Sequence, residues 1–314
     1  MAILAKGELT PNKKYTGLLY GAPGCGKTTL ACSAPQPVFV LDIEKGHERL
    51  STVHQAQRSE VSTYDELMKD MQSEEYKAAE TIVVDTIGAL VQLMVGAIPK
   101  LDGKTTLKQN DGSLTLKGYG FLKNKFVKFL ELVGQGGKKH IIFIGHEEEE
   151  KQGESTKKRI ACEGKAKSLV WQPCDFGGYM YHEQGKRMIS FAPSADYYSK
   201  GVHGIAQIYE IPDATGKPLT FLADTIFATM DKTRESTRFV DKKAQKAYAA
   251  AMSEGKDILN EVIDDETAMM AIEEMKGIVH ALTSKAELNS LFANKLKELG
   301  LKFCATTKKV VKNA

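Results

Sequence analysis

The chain has 314 residues, enough for one large core or for a core with an appendage. Hydrophobic residues make up 42% and charged residues 26%, the balance of an ordinary globular chain rather than a disordered or fibrous one. A formal net charge of +3 is too small to point to a polyanionic partner, so any such reading has to rest on local charge.

The opening stretch, MAILAKGELTPNKK, has too short an apolar run for a signal peptide. No stretch reaches the roughly 18 apolar residues that a membrane span needs. The five cysteines (Cys25, Cys32, Cys162, Cys174 and Cys304) have no framework spacing. They read as reduced thiols, which implies a cytoplasmic chain without a membrane partner. Residues 17–20 (GLLY) predict a short buried strand. A helix is expected from Lys27 to Ser33, ended by Pro35. Residues 38–43, 81–85 and 140–145 predict three further strands. All are apolar, β-branched runs without polar alternation, as a parallel sheet covered on both faces requires. Helix-compatible segments lie at 64–79, 88–98 and 119–133. This β-α-β alternation implies an α/β core.

After residue 175 the pattern changes. One hairpin is expected around Gln184 and Gly185, and a second around Thr215 and Gly216. From about residue 241 the composition is helical, with Gly255 and Gly300 as candidate stops and a basic, mobile tail. The expected division is a core over 1–240 and a helical segment over 241–314. Trp171 and the methionines of DDETAMMAIEEMKG have the spacing of core or partner-facing residues. Cys162, Cys174 and His182 match no compact zinc spacing.

Residues 21–28, GAPGCGKT, fit G-x-x-x-x-G-K-S/T after a strand and at the start of a helix. The cradle is Gly21, Ala22, Pro23, Gly24, Cys25, Gly26, Lys27, Thr28 and Thr29. Glycines let successive amides turn inward at phosphate oxygens, and the helix N-terminus adds partial positive charge. Lys27 reaches the β- and γ-phosphates, and Thr28 offers a hydroxyl to Mg²⁺. The expected cofactors are therefore ATP and Mg²⁺. Asp85, at the end of TIVVD, either holds the metal, caps the next helix, or does both. Glu44, at the tip of VFVLDIE, is the candidate for polarising water, with Asp42 as support; the alternative is an ordinary surface charge.

The three motifs GAPGCGKTT, FVLDIEKG and TIVVDTIGAL, in that order, resemble the RecA family of DNA recombinases. Closest are short phage-encoded RecA-core proteins, described as AAA-type nucleotide-binding proteins or single-strand annealing ATPases. The resemblance covers about residues 14–235. It implies a RecA-like P-loop NTPase core with a mainly parallel sheet and a helical C-terminal appendage. It implies an ATPase that works on single-stranded DNA as a homo-oligomer in phage recombination, annealing or repair, with a single-strand DNA-binding protein as a further partner. His146 stands at the γ-phosphate sensor position, where the family more often has glutamine. Two mobile DNA-contacting loops are expected at about 99–118 and 147–169. The first carries Lys104 and Lys108, and the second Lys157, Lys158 and Arg159. Lys232 and Arg234 lie where such proteins reach the neighbouring subunit's nucleotide. The rival reading of the loops is plain solvated surface, and the Glu147–Glu150 run counts against DNA unless it faces away or binds metal. The rival functions are a regulatory or assembly ATPase without DNA activity, and a module that binds nucleotide without hydrolysing it.

Overall fold

Four continuous apolar runs become the centre of one sheet, because neither of their faces meets water. The computed structural model describes residues 12–152, 155–163, 165–304 and 309–312. In chain order the strands of the first part are β1 (Thr16–Gly21), β2 (Val38–Asp42), β3 (Gln57–Ser59), β4 (Thr81–Asp85), β5 (Leu101–Asp102), β6 (Thr105–Thr106), β7 (His140–Gln152), β8 (Ser155–Ile160), β9 (Phe176–Glu183), β10 (Lys186–Ser190) and β11 (Ile208–Glu210). The helices between them are α1 (Lys27–Ala31), α2 (Tyr64–Asp70), α3 (Glu74–Ala78), α4 (Ile87–Gly96), α5 (Leu116–Val133) and α6 (Ala166–Trp171). A π-helical turn, Leu222–Phe227, leads into α7 (Ala228–Asn260).

Among the described residues the main sheet has the order β11-β10-β9-β1-β7-β4-β2-β3, with β8 paired to β7 outside that path. The pairs from β9 through β1, β7, β4 and β2 to β3 are parallel; β8, β10 and β11 pair antiparallel. This is a large, mainly parallel α/β sheet, consistent with a RecA-like P-loop NTPase fold. Its central feature is β7, inserted between the glycine-loop strand β1 and the aspartate strand β4. Register then aligns the carboxyl ends: Gly21 faces His146, and Asp42 faces Asp85.

Each face of the sheet has its own core. Leu18, Leu41, Val84 and Phe143 pack with Leu67, Leu90, Phe126 and Phe129 from the helices on one side. Leu19, Val40, Val83 and Ile142 pack with Leu30, Ile226, Phe227 and Met230 on the other. Fully burying one such side chain is worth about 1.5–3 kcal/mol, so these layers hold the strand ends in place. Trp171 is part of this packing, with its ring against the bare face of Gly177.

Several expectations change. The predicted 64–79 helix is two helices, because Ser73 caps a new start by accepting the Tyr76 amide. Helix α5 begins at Leu116, capped by Thr115, ahead of the expected start at 119, and Tyr119 and Phe121 are exposed on it. The second hairpin does not form: 208–210 pairs with β10, and 222–227 is helical. Gly255 does not stop a helix but lies inside α7, where a Cβ would stand 2.4 Å from Leu288.

Contact density separates residues 11–233 from a second unit containing 234–314. In that unit α8 (Asp265–Met275), α9 (Ser284–Glu298) and the antiparallel pair β12 (Leu301–Cys304) and β13 (Lys309–Lys312) enclose Leu259, Ala268, Leu288, Phe292 and Leu296. The tail expected to be mobile is thus a strand over 309–312, while 305–308 and 313–314 lie outside the described residues. Gly300, at φ +66°, follows α9 as expected of a stop. Among the described residues no helix is long and apolar enough to cross a membrane.

Candidate nucleotide site

The glycine loop leaves the buried end of β1 and turns directly into α1. Gly24 and Gly26 have φ of +79° and +86°, left-handed values that side chains resist. Ala22, Pro23 and Gly24 form an exposed rim, while Cys25 is buried beneath it. Helix α1 has only five residues, two fewer than expected, so the cradle is made chiefly by loop amides. Thr29 is partly exposed in its first turn. Lys27 is buried, and its Nζ donates to the carbonyls of Gly21 at 3.0 Å and Ala22 at 2.8 Å. It ties the end of the loop to its beginning and holds its charge inside the cradle.

Thr28 Oγ1 donates to Asp85 Oδ2 at 2.6 Å. Asp85 is 5% exposed. Burial pushes its carboxyl up to about 6; the Thr28 hydrogen bond opposes this, and the charges of Glu44 and Asp42 add to it. A buried carboxylate beside two others and a hydroxyl is an oxygen set that a divalent cation would relieve, so Thr28 and Asp85 fit Mg²⁺. The helix cap is a different residue: Thr86, joined to Asp85 by a cis peptide, accepts the Ala89 amide at 3.3 Å.

Glu44 points at the same edge. Its Oε1 accepts from Thr86 Oγ1 at 2.5 Å, and its Oε2 lies 3.2 Å from His146 Nε2. Asp42 is fully buried and accepts the amides of Gly46 and His47, both at 3.0 Å. It shapes the turn that carries Glu44, a supporting role. Residues from four strand ends thus meet: the loop after β1, Glu44 after β2, Asp85 on β4 and His146 on β7.

The outlying candidates do not join them. Lys232 and Arg234 are on α7, which begins near Tyr15, where Tyr15 Oη donates to Asp231 at 2.7 Å. That is the amino edge of β1, opposite the glycine loop, so Lys232 is remote from this chain's own cradle. The expected mobile loop at 147–169 is instead the β7–β8 hairpin, whose register sets acids against bases. Lys158 Nζ lies 3.3 Å from Glu147 and 3.0 Å from the Tyr179 hydroxyl. Arg159 pairs with Glu150, and Lys167 with Glu148. Lys157 sits 4.4 Å over the Tyr198 ring. Among the described residues the Glu147–Glu150 run forms no metal cluster: Glu147 and Glu150 pair with β8, Glu148 pairs with α6, and Glu149 is exposed. In the other expected loop, Lys104 is exposed at the β5–β6 turn, and Lys108 Nζ donates to Gly96 at 3.3 Å. Cys162 and Cys174 are buried thiols, with Cys162 pushed up to about 11 by burial.

Two residues near the site were not singled out from the sequence. Thr86 was visible in the DT pair of TIVVDT but had no assigned partner. Arg187, on β10, has no local signal: it lies 161 positions after Gly26, the loop residue it approaches.

The Asp85 carboxyl has a consequence for stability. Its folded pKa is raised, so between about pH 4 and 6 the folded state binds the extra proton and stability falls as pH rises. At neutral pH the charged form costs roughly 3 kcal/mol at this shift. Asp85→Asn is expected to raise the melting temperature of the nucleotide-free protein at pH 7.5 and to flatten that slope. Thermal unfolding across pH 4–8 checks this; an unchanged slope would remove Asp85 as its source.

Residues 13–203 match the model of a family described as an AAA domain. No curated protein matches the chain. Among solved structures, the flagellar accessory protein FlaH from Methanocaldococcus jannaschii is similar over 64% of this chain and 86% of that chain, with 12% identity and a TM-score of 0.34.

Proposed function

This chain belongs to the AAA-domain family, whose model spans residues 13–203, and from that premise we propose that it hydrolyses Mg-ATP and acts on single-stranded DNA as an oligomer. An AAA-type P-loop domain binds nucleotide; hydrolysis and DNA are the added steps.

The observation that carries hydrolysis is the placement of Glu44. Its carboxylate is fixed by Thr86 at 2.5 Å and by His146 at 3.2 Å, beside the Thr28–Asp85 pair. Lys27 and the loop amides would hold the phosphates, and Thr28 and Asp85 the Mg²⁺. The bound cation supplies neutralisation of charge on the phosphate oxygens. Glu44 accepts a proton from, and orients, the attacking water; Thr86 and His146 keep its oxygens aimed. Release of phosphate from ATP by the full chain, with Mg²⁺ and with chelator, tests the reading. No Mg²⁺-dependent release would end it.

Support for DNA comes from the 99–118 segment rather than from β8. Lys104 and Lys117 are exposed and Leu116 is 92% exposed; Tyr119 and Phe121 follow in the same helix at 40% and 37%, with the Tyr119 hydroxyl donating to Glu163 at 3.1 Å. Cations beside exposed rings suit a single strand, whose bases stack while its phosphates are neutralised. Replacing Lys104 and Lys108 together by Ala should reduce the salt dependence of DNA-stimulated turnover, by about 1.4 in the log–log slope. Removing Lys157, Lys158 and Arg159 should instead lower the melting temperature, because Glu147 and Glu150 lose their partners. The DNA reading fails if turnover ignores DNA, or if the slope is unchanged in the Lys104/Lys108 variant. With Lys232 at the amino edge of β1, its contact with a nucleotide belongs to a neighbouring copy in such an assembly.

A further inference from the structure

A guanidinium lies against the phosphate cradle from the side opposite Glu44. Arg187 Nη1 is 3.1 Å, and its Cδ 3.8 Å, from the point where a Cβ of Gly26 would stand. Among the described residues, its two chain neighbours aside, no other side chain comes within 4 Å of that bare face.

The sheet explains the approach. Strand β9 runs parallel to β1, with Gly21 facing Met180, so both end at the loop edge. The turn at Gln184 and Gly185, with φ of +50° and +78°, sends β10 back, and Arg187 faces His182. The Ile211 amide donates to the Arg187 carbonyl at 2.8 Å and fixes its backbone. The side chain is less committed. Among the described residues it forms no ion pair, and its one hydrogen bond, Nη2 to the Pro212 carbonyl, is long at 3.4 Å. Asp213, the acid that feels its charge, is engaged with the Thr215 hydroxyl at 2.8 Å. Five N–H donors on a half-buried cation therefore stand against the glycine loop with no ion-pair partner among the described residues.

The flank decides which anion. Glu44, Asp85 and His146 reach the site from β2, β4 and β7, on one side of β1. Arg187 comes from β10, on the other. The terminal phosphate and its cation belong to the first side, which leaves the phosphates nearer the nucleoside to the second. We propose that Arg187 is a phosphate-binding residue supplied by the same chain, gripping the α- and β-phosphates shared by ADP and ATP. This rests on the reading of the loop as a nucleotide site. An arginine on phosphate makes charge-assisted, often bidentate hydrogen bonds, which lysine copies only in part.

The test is equilibrium binding of Mg-ADP and Mg-ATP to wild type, Arg187→Gln, Arg187→Lys and Lys27→Ala, with ATP turnover and nucleotide-free melting measured alongside. Arg187→Gln is expected to weaken both nucleotides about tenfold or more, equivalent to about 1.4 kcal/mol. Arg187→Lys should fall between it and wild type, and kcat at saturating ATP should stay within a few-fold. Unchanged ADP affinity, or a loss confined to kcat, overturns the proposal. Should Arg187→Gln not fold, Arg187→Lys decides: wild-type affinity for ADP overturns it. If Lys27→Ala binds nucleotide like wild type, the reading of the site itself fails, an outcome distinct from failure of Arg187 alone.

Discussion

Replacing Glu44 by Gln is expected to slow ATP turnover by about 10²–10⁴-fold while leaving Mg-ATP affinity within a few-fold of wild type. The substitution keeps the shape and one acceptor oxygen for the Thr86 hydroxyl at 2.5 Å. It removes the charge that would draw a proton from water. The second oxygen, 3.2 Å from His146, becomes an amide nitrogen, so the aim survives better than the basicity. Phosphate release and nucleotide binding, measured on the same preparation, separate the two effects. A variant that turns over at more than a tenth of the wild-type rate would show that water is activated elsewhere. Because Glu44 is a strand-end residue in a turn built by Asp42, folding should be little affected.

Lys27→Ala is expected to weaken nucleotide binding about 100-fold, the equivalent of about 3 kcal/mol lost from a charged hydrogen-bonding group. The lysine is buried, and its ammonium is held by two loop carbonyls, Gly21 at 3.0 Å and Ala22 at 2.8 Å. The carbonyls keep it inside the cradle before any ligand arrives, which lowers the ordering cost of binding. Titration with a fluorescent ADP analogue measures the change. Wild-type affinity in this variant would mean that the loop is not the phosphate site. Against Glu44→Gln it gives a complementary pattern: one variant loses affinity, the other loses turnover.

The legible parts of this fold were those where one physical demand dominates. LLY, VFVLD, TIVVD and HIIFIG are buried on both faces, and short continuous apolar runs bounded by turns suit little else. The glycine loop was legible because its geometry tolerates few residues at Gly24 and Gly26. The strand β3, reading QRS, carries no apolar pattern and exists through edge pairing with β2. The β7–β8 hairpin was hidden for a related reason. Four glutamates read as loop, yet three of them, Glu148, Glu149 and Glu150, face Arg159, Lys158 and Lys157, a ladder of opposite charges that is a property of the pair and not of either strand. At 218–224 the PLTFLAD stretch reads as a strand in isolation, but its apolar residues face the core beside Ser33, whose hydroxyl accepts the Leu222 amide at 3.0 Å. Gly255 reads as a stop because helix interiors disfavour glycine; close approach of Leu288 outweighs that cost.

The site divides in the same way. Lys27, Thr28, Asp85, Glu44 and His146 lie at the ends of predicted strands, so the parallel sheet brings them together. Thr86 was adjacent to a chosen residue and passed over. Arg187 depends on β9 lying beside β1, a long-range pairing that no local window contains.

The most direct measurement is the identity of the nucleotide that stays bound. Wild type and Glu44→Gln would each be incubated with Mg-ATP, passed rapidly over a desalting column, and the retained nucleotide identified by chromatography. The geometry predicts mainly ADP on wild type and intact ATP, in comparable amount, on the variant. ADP on both, or no retained nucleotide on either, would contradict the assignment of the phosphates to this loop and of the water to Glu44.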